Sequence, residues 1–352
     1  MVKVAVKNDG LKGKAGGKWS VLLLAAFSLF ITILISLRLG RFEIGSAEIL
    51  QFMWKWLFAP NLLDLSQPME SVFYYIRLPR ILLAVVVGAS LAITGTLFQG
   101  IFRNPLASPD ILGVSSGCAF GAALGIIWDV QIPFKIQILA FLFGLLSMFL
   151  VFTLARLSKG DRVVMLVLIG TIVSALFGAA LSFLKYIADP VEDLAAIVFW
   201  TMGGLHRATW GTVLPLLFTL LPGFILLLLL SWKVNILSLG DEEAKSLGIP
   251  VQLFRSVLIV VATLMLAATI SITGTIGWVG LVIPHIARIL IGSDHQYTFP
   301  MSMLVGATFV LMMDDLARSL TTAEIPLSIL TALVGAPFFA YLLTKGKGKV
   351  WN

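Results

Sequence analysis

The chain has 352 residues, of which 59% are hydrophobic and only 12% charged, and its mean hydropathy is +1.01. Soluble domains carry roughly 25% charged residues, so a water-solvated globule is excluded and lipid is the natural solvent. The net charge of +7 sits at the chain ends and in short loops, which is the pattern of membrane orientation and excludes a nucleic-acid groove.

A hydrocarbon core of about 30 Å takes around 20 apolar residues per helix. Ten stretches answer to that length, at 19–38, 80–102, 110–128, 134–156, 163–186, 210–232, 252–272, 278–292, 298–317 and 327–344. The eighth is short, and the ninth is interrupted by Asp314 and Asp315. None alternates with the two-residue period of a membrane barrel. The expected fold is an all-α integral membrane protein, a bundle of about ten transmembrane helices. It occupies 19–345 as one domain, between a basic tail at 1–18 and a short tail at 346–352. Lys3, Lys7, Lys12, Lys14 and Lys18 precede the first span, which lacks a small-x-small cleavage site and so reads as a span and not a signal peptide. With both termini cytoplasmic, fifteen Lys and Arg fall inside and nine outside, as the positive-inside rule requires.

Between the first two spans, residues 39–79 hold Trp54, Trp56 and Pro60, which suits an interfacial helix. Arg77-Leu78-Pro79-Arg80 follows at the outer start of span two. Proline suits a first helical turn, but Arg80 then meets the positive end of the helix dipole. An anion should offset it, either lipid phosphate or the carboxylates of an external partner. Asn104-Pro105-Leu106-Ala107-Ser108-Pro109 makes a stiff inner turn. Gly113, Gly117, Gly121 and Gly125 come next at four-residue spacing, a face for close helix packing. The single cysteine, Cys118, excludes an intramolecular disulfide. His206, His285 and His295 lack metal-ligand spacing, so neither a metal nor a cofactor is expected.

Residues 187–209 contain Asp189-Pro190 and Gly203-Gly204, which suits a short helix lying on the membrane. The inner loop 233–251 contains Leu239, Gly240, Asp241, Glu242, Glu243, Ala244, Lys245, Ser246, Leu247, Gly248, Ile249 and Pro250. Three acids complement a helix N-terminus, Gly248 can end the helix, and Pro250 forbids its continuation. Ala244 and Leu247, at i and i+3, share one face and form a small knob for a cytoplasmic partner; a plain solvated connector has the same pattern. Gly274 to Arg288 is a glycine-rich turn leading into a span with Pro284 inside it. Arg318, at the outer end of span nine, has Glu324 near it as a pairing partner. Spans 2–5 and 7–10 form two four-span blocks entering from opposite sides, the layout of an inverted repeat.

The chain resembles the permease subunits of type II ABC importers for iron–siderophores, haem and cobalamin. The resemblance runs from about Ser36 to Lys345 and rests on RLPRILLAVVVGASLAITGTLFQG at 77–100, NPLASPDILGVSSG at 104–117, LGDEEAKSLGIP at 239–250, GWVGLVIPHIAR at 277–288 and AEIPLSILTALVGAPFF at 323–339. It implies a prokaryotic plasma (inner) membrane protein that pairs with a second permease subunit, two cytoplasmic ABC ATPases and an extracytoplasmic substrate-binding protein. It further implies that Leu239, Gly240, Asp241, Glu242, Glu243, Ala244, Leu247 and Gly248 couple to the ATPase, and that Arg77, Arg80 and Arg318 dock the binding protein. Cys118 departs from the family's usual alanine. No Walker-type G-x-x-x-x-G-K-[ST] loop is present, so ATP hydrolysis belongs on another chain. An ion-coupled secondary transporter is the alternative, and it calls for buried carboxylates near the midplane. A membrane enzyme calls for a converging nucleophile, base or metal set, which the sequence lacks. No motif sets the cargo, with iron(III)-siderophore or a related chelate as the family expectation.

Overall fold

The computed structural model describes residues 9–40 and 45–345. The ends of the two expected tails, 1–8 and 346–352, lie outside the described residues. Among the described residues the regular elements are all helical. In chain order they are α1 (Asp9–Arg38), α2 (Ser46–Phe58), α3 (Pro68–Val72), α4 (Leu78–Ile101), α5 (Val114–Ile127), α6 (Lys135–Leu157), α7 (Arg162–Ile187) and α8 (Asp193–Thr201). Then come α9 (Trp210–Leu229), α10 (Ser231–Leu239), α11 (Asp241–Ser246), α12 (Val251–Thr273), α13 (Val279–Ile291), α14 (His295–Ser319) and α15 (Leu327–Lys345). A helical turn at Phe73–Arg77 joins α3 to α4 without a break.

Among the described residues, seven helices are long and apolar enough to cross a membrane, and three shorter apolar ones (α5, α13 and α15) bring the number to the expected ten. Three details differ from the sequence expectation. α14 runs unbroken through Asp314 and Asp315, because both carboxylates find intrachain cations. α5 starts four residues later than expected, after a 3-10 turn at Pro109–Leu112. α8 packs Ile197 and Trp200 into the bundle and does not merely lie on the membrane.

Helix α4 is the central post: 89% of its most apolar stretch is buried within the chain, against 22% for α1, which the rest of the chain leaves mostly uncovered. Close packing around α4 depends on missing side chains. A Cβ on Gly88 would lie 2.3 Å from the Gly306 carbonyl oxygen of α14, and one on Gly95 would lie 2.0 Å from the Gly280 carbonyl oxygen of α13. Without a hydrophobic drive between helices in lipid, such close contact supplies the packing energy. The glycine stripe of α5 works likewise: Gly117 and Gly121 abut the Phe143 and Leu139 carbonyls of α6.

Candidate functional site

At the end that the positive-inside expectation places in the cytoplasm, α10 stops at Gly240, whose φ of +147° suits glycine, and α11 begins at once. The end of α11 is a Schellman turn. Gly248, at φ +77°, donates to the Lys245 carbonyl at 2.9 Å, and Ile249 donates to the Ala244 carbonyl at 3.1 Å. Ile249 and Ala244 are both buried, and their positions on either side of the turn are those of the apolar contact that accompanies this motif. The turn fixes which face of α11 points inward. Ala244 is fully buried, whereas Leu247 is 61% exposed. The two therefore do not form one exposed knob: the outward apolar residues are Leu247 and Leu239. Glu242 and Glu243 are exposed.

Asp241 anchors this short helix to the next span. Arg255, near the start of α12, donates from Nη2 to Oδ1 at 2.5 Å and from Nη1 to Oδ2 at 3.0 Å. Arg103 stands 3.9 Å away on the other side. The Arg255 hydrogen bonds hold the Asp241 carboxyl below the usual carboxylate range.

The opposite end, outer on the same expectation, carries a larger network. Arg80 grips two carboxylates. It donates to Asp314 from Nε at 2.9 Å and from Nη2 at 2.9 Å, and to Glu324 from Nη1 at 2.8 Å and Nη2 at 2.9 Å. The anion that offsets Arg80 is thus supplied by the chain itself, from 234 and 244 residues away. Glu324 pairs with Arg80 and not, as its sequence position suggests, with Arg318. Arg318 instead bonds Asp315, the Ser36 hydroxyl at 2.7 Å, and the Ser36 and Leu39 carbonyls at 2.8 Å. Arg77 donates to the Leu37 carbonyl and stacks near the Phe73 ring. All three arginines are buried. Two of them take up carbonyls at the C-terminus of α1, where cations complement the dipole. The cluster thereby ties α1, α4 and α14 together.

Asp314, Asp315, Ser36 and Arg255 were not singled out as site residues from sequence. Arg318 lies at i+4 from Asp314 and i+3 from Asp315, a spacing that places all three on one helix face and could have exposed this part of the network. Among the described residues, no three His, Cys, Asp or Glu side chains gather as a metal site.

The FecCD transport family profile matches residues 28–345. The chain is 44% identical to the molybdate import system permease protein MolB of Haemophilus influenzae over 91% of its length and 94% of the relative's. It is 39% identical to the hemin transport system permease protein HmuU of Yersinia pestis, over 90% and 94%. A solved structure described as an inward-facing metal-chelate type ABC transporter superposes with TM-score 0.83 at 42% identity, covering 93% of this chain and 99% of that one. The chain belongs to the FecCD transport family. It is a multi-pass permease subunit of an ABC importer, not itself an enzyme, and works with a separate ATPase and a substrate-binding partner.

Proposed function

We propose that this chain carries an iron(III)-siderophore or a related metal chelate, such as haem or cobalamin, across a prokaryotic plasma membrane, with both termini in the cytoplasm. Two permease subunits would flank the path and two ATPases would drive it. The observation that carries the coupling role is the built end of α11: a six-residue helix, closed by a Schellman turn, clamped to α12 through Asp241 and Arg255, and presenting Leu239 and Leu247 outward. A push on that apolar pair from an ATPase reaches α12 through the guanidinium clamp. The chelate assignment is supported by the metal-chelate description of the superposed transporter and by the haemin relative.

For the outer face, the docking of a binding protein through Arg77, Arg80 and Arg318 remains our reading of the family resemblance, in a modified form. Each arginine already has a partner within the chain. The carboxylate best placed for exchange is Glu324, whose side chain is 35% exposed where Asp314 is 1% exposed. A carboxylate of the binding protein would take the place of Glu324 on Arg80.

Reconstitution in liposomes tests the whole reading. The chain, its ATPase and its binding protein should take up a chelate from a panel of ferric siderophore, haemin and cobalamin only when ATP is enclosed. Uptake by the chain alone on a proton or sodium gradient would sink it. Oxyanion import is the second reading, since the 44% relative is named for molybdate; uptake of molybdate and of no chelate would establish it.

A further inference from the structure

The two shortest apolar helices cannot span the hydrocarbon. α5 has 14 residues and α13 has 13, about 20 Å each at 1.5 Å per residue, against a core of about 30 Å. Their missing length is made of non-helical chain, and neighbouring helices serve as rulers for its depth. A Cβ on Gly280 would meet Pro109 at 2.5 Å and the Leu91 carbonyl oxygen at 3.1 Å. Leu91 lies ten residues before the inner end of α4 at Ile101, about 15 Å up the helix. A Cβ on Gly170 would lie 2.0 Å from the Ile111 carbonyl oxygen, eight residues into α7 and so about 12 Å deep. The link between α4 and α5 therefore climbs to mid-membrane. The first turn of α13 meets it there, with Pro109 against Gly280, and the link from α12 lines the same pocket. Irregular backbone at such depth is tolerated only where protein buries it or water bathes it.

A pocket of about 430 Å³ lies at this meeting point. Its wall includes Ser108, Asp110, Ser115, Ser116, Thr275 and Ser328. The hydroxyls of Ser108, Ser116 and Ser328 are half-buried and have no partner among the described residues, while Thr275 is engaged with the Thr201 carbonyl at 2.5 Å. Asp110 accepts from Ser115 on Oδ1, its other oxygen has no protein partner, and the side chain is open to a water-sized probe although protein surrounds it. A carboxylate at this depth does not face acyl chains, so the pocket opens to water.

We propose that this pocket is a hydrated station on the transport route and that Asp110 is its charge filter, admitting neutral or cationic hydrogen-bond-donating chelates and repelling free oxyanions. The proposal rests on the importer reading above and sharpens its cargo class. The pocket holds one carboxylate and several hydroxyl acceptors, and a charge in intermediate dielectric acts over its width.

The test uses the full chain in liposomes with Cys118→Ala, which removes the native buried thiol, and Ser116→Cys as reporter. The probes are two methanethiosulfonates of similar size, one ending in trimethylammonium and one in sulfonate. With each rate divided by that reagent's rate towards a free thiol in solution, both should label the reporter, the cationic one faster by roughly tenfold, the scale of one nearby unit charge. Adding Asp110→Asn should bring the ratio close to one, and Asp110→Glu should restore it. Ser328→Cys, on the α15 wall, should report the same ratio and stands in if Ser116→Cys disturbs α5. Lack of labelling at both reporters in monodisperse protein would overturn the hydrated station. Equal rates for the two reagents in the parent, or an unchanged ratio in Asp110→Asn, would overturn the filter, and the parent arm decides this even if Asp110→Asn does not fold. Labelling needs neither ATP nor cargo, so this result and the uptake result can fail independently.

Discussion

The chain uses the same chemical device at both ends, a guanidinium gripping a carboxylate, in two different settings. At the outer end, Arg80 and Arg318 are packed among Asp314, Asp315, Glu324 and the last carbonyls of α1. The partners of Arg80 and the α1 carbonyls on Arg318 lie more than two hundred residues away, and all but Glu324 are largely out of water. At the inner end, Arg255 and Asp241 are 14 residues apart, and the Asp241 side chain is 37% exposed. The desolvated network is a clamp, because breaking it leaves a charge with no water to replace its partner. The second pair is a handle, because the Asp241 carboxylate is open to water and can rehydrate when Arg255, itself buried, is removed. The first network thus ties α1, α4 and α14 together, while the second is the one we propose transmits a displacement.

The largest effect should come from breaking the clamp. Asp314→Asn leaves Arg80 with Glu324 alone and takes a counter-charge from the buried side of the guanidinium, so we expect a loss of about 3–5 kcal/mol, the usual cost of orphaning a buried ion-pair partner. Glu324→Gln, at the exposed side of the same arginine, should cost only about 1 kcal/mol or less and should alter docking of the binding protein. Denaturant unfolding in detergent measures both. Equal costs would remove the distinction between the inner and outer faces of the cluster.

Next comes the pair on α11. Ala244→Asp puts an unpaired carboxylate where a methyl is fully buried, which should cost about 2–3 kcal/mol and loosen the helix. Leu247→Asp falls on an exposed position and should shift stability by no more than about 0.5 kcal/mol, yet lower ATPase stimulation in the reconstituted importer. If both variants behave alike in unfolding and in ATPase assays, the inward and outward assignment of this helix is wrong.

Arg255→Ala should be milder, since Asp241 can rehydrate. It carries a pH signature. Arg255 depresses the folded-state pKa of Asp241. The stabilisation from this pair is therefore complete above the ordinary carboxylate value, near 4, and is lost as pH falls through the depressed value. In Arg255→Ala the carboxyl returns towards its ordinary range, so the acid limb of its titration moves up. Stability curves of the two proteins from pH 7 down to pH 3 should converge at the acid end. A constant offset across that range would show that Arg255 acts by packing alone.

Much of this architecture was legible because its signals are local. Apolar runs of membrane length mark the spans, and Gly248-Ile249-Pro250 marks the end of α11 whether or not anything is packed on it. The partners of Arg80 were not legible, since they lie more than two hundred residues away and pattern reading reaches only a few turns. That gap led the offsetting anion to be sought outside the chain. The inward turn of Ala244 was equally hidden: i, i+3 spacing says that Ala244 and Leu247 are neighbours, but the rotation of a six-residue helix is set by the turns at its two ends. The depth of Pro109–Leu112 was also invisible, because a proline-rich link reads as a surface turn until α4 and α7 provide a scale.

A backbone change sharpens the handle itself. Gly248 sits at φ +77° with open space where a Cβ would be, so Gly248→Ala meets no neighbour and its cost is purely the backbone preference, about 1 kcal/mol. That isolates the Schellman turn from side-chain packing. If α11 transmits force as a closed unit, this modest strain should lower coupling between ATP hydrolysis and uptake while leaving global unfolding almost unmoved, since the core does not depend on it. If instead Asp241 and Arg255 alone carry the displacement, Gly248→Ala should leave coupling intact and only Arg255→Ala should lower it. Uptake per ATP hydrolysed, measured for the two variants side by side, decides which end of the six-residue helix bears the load.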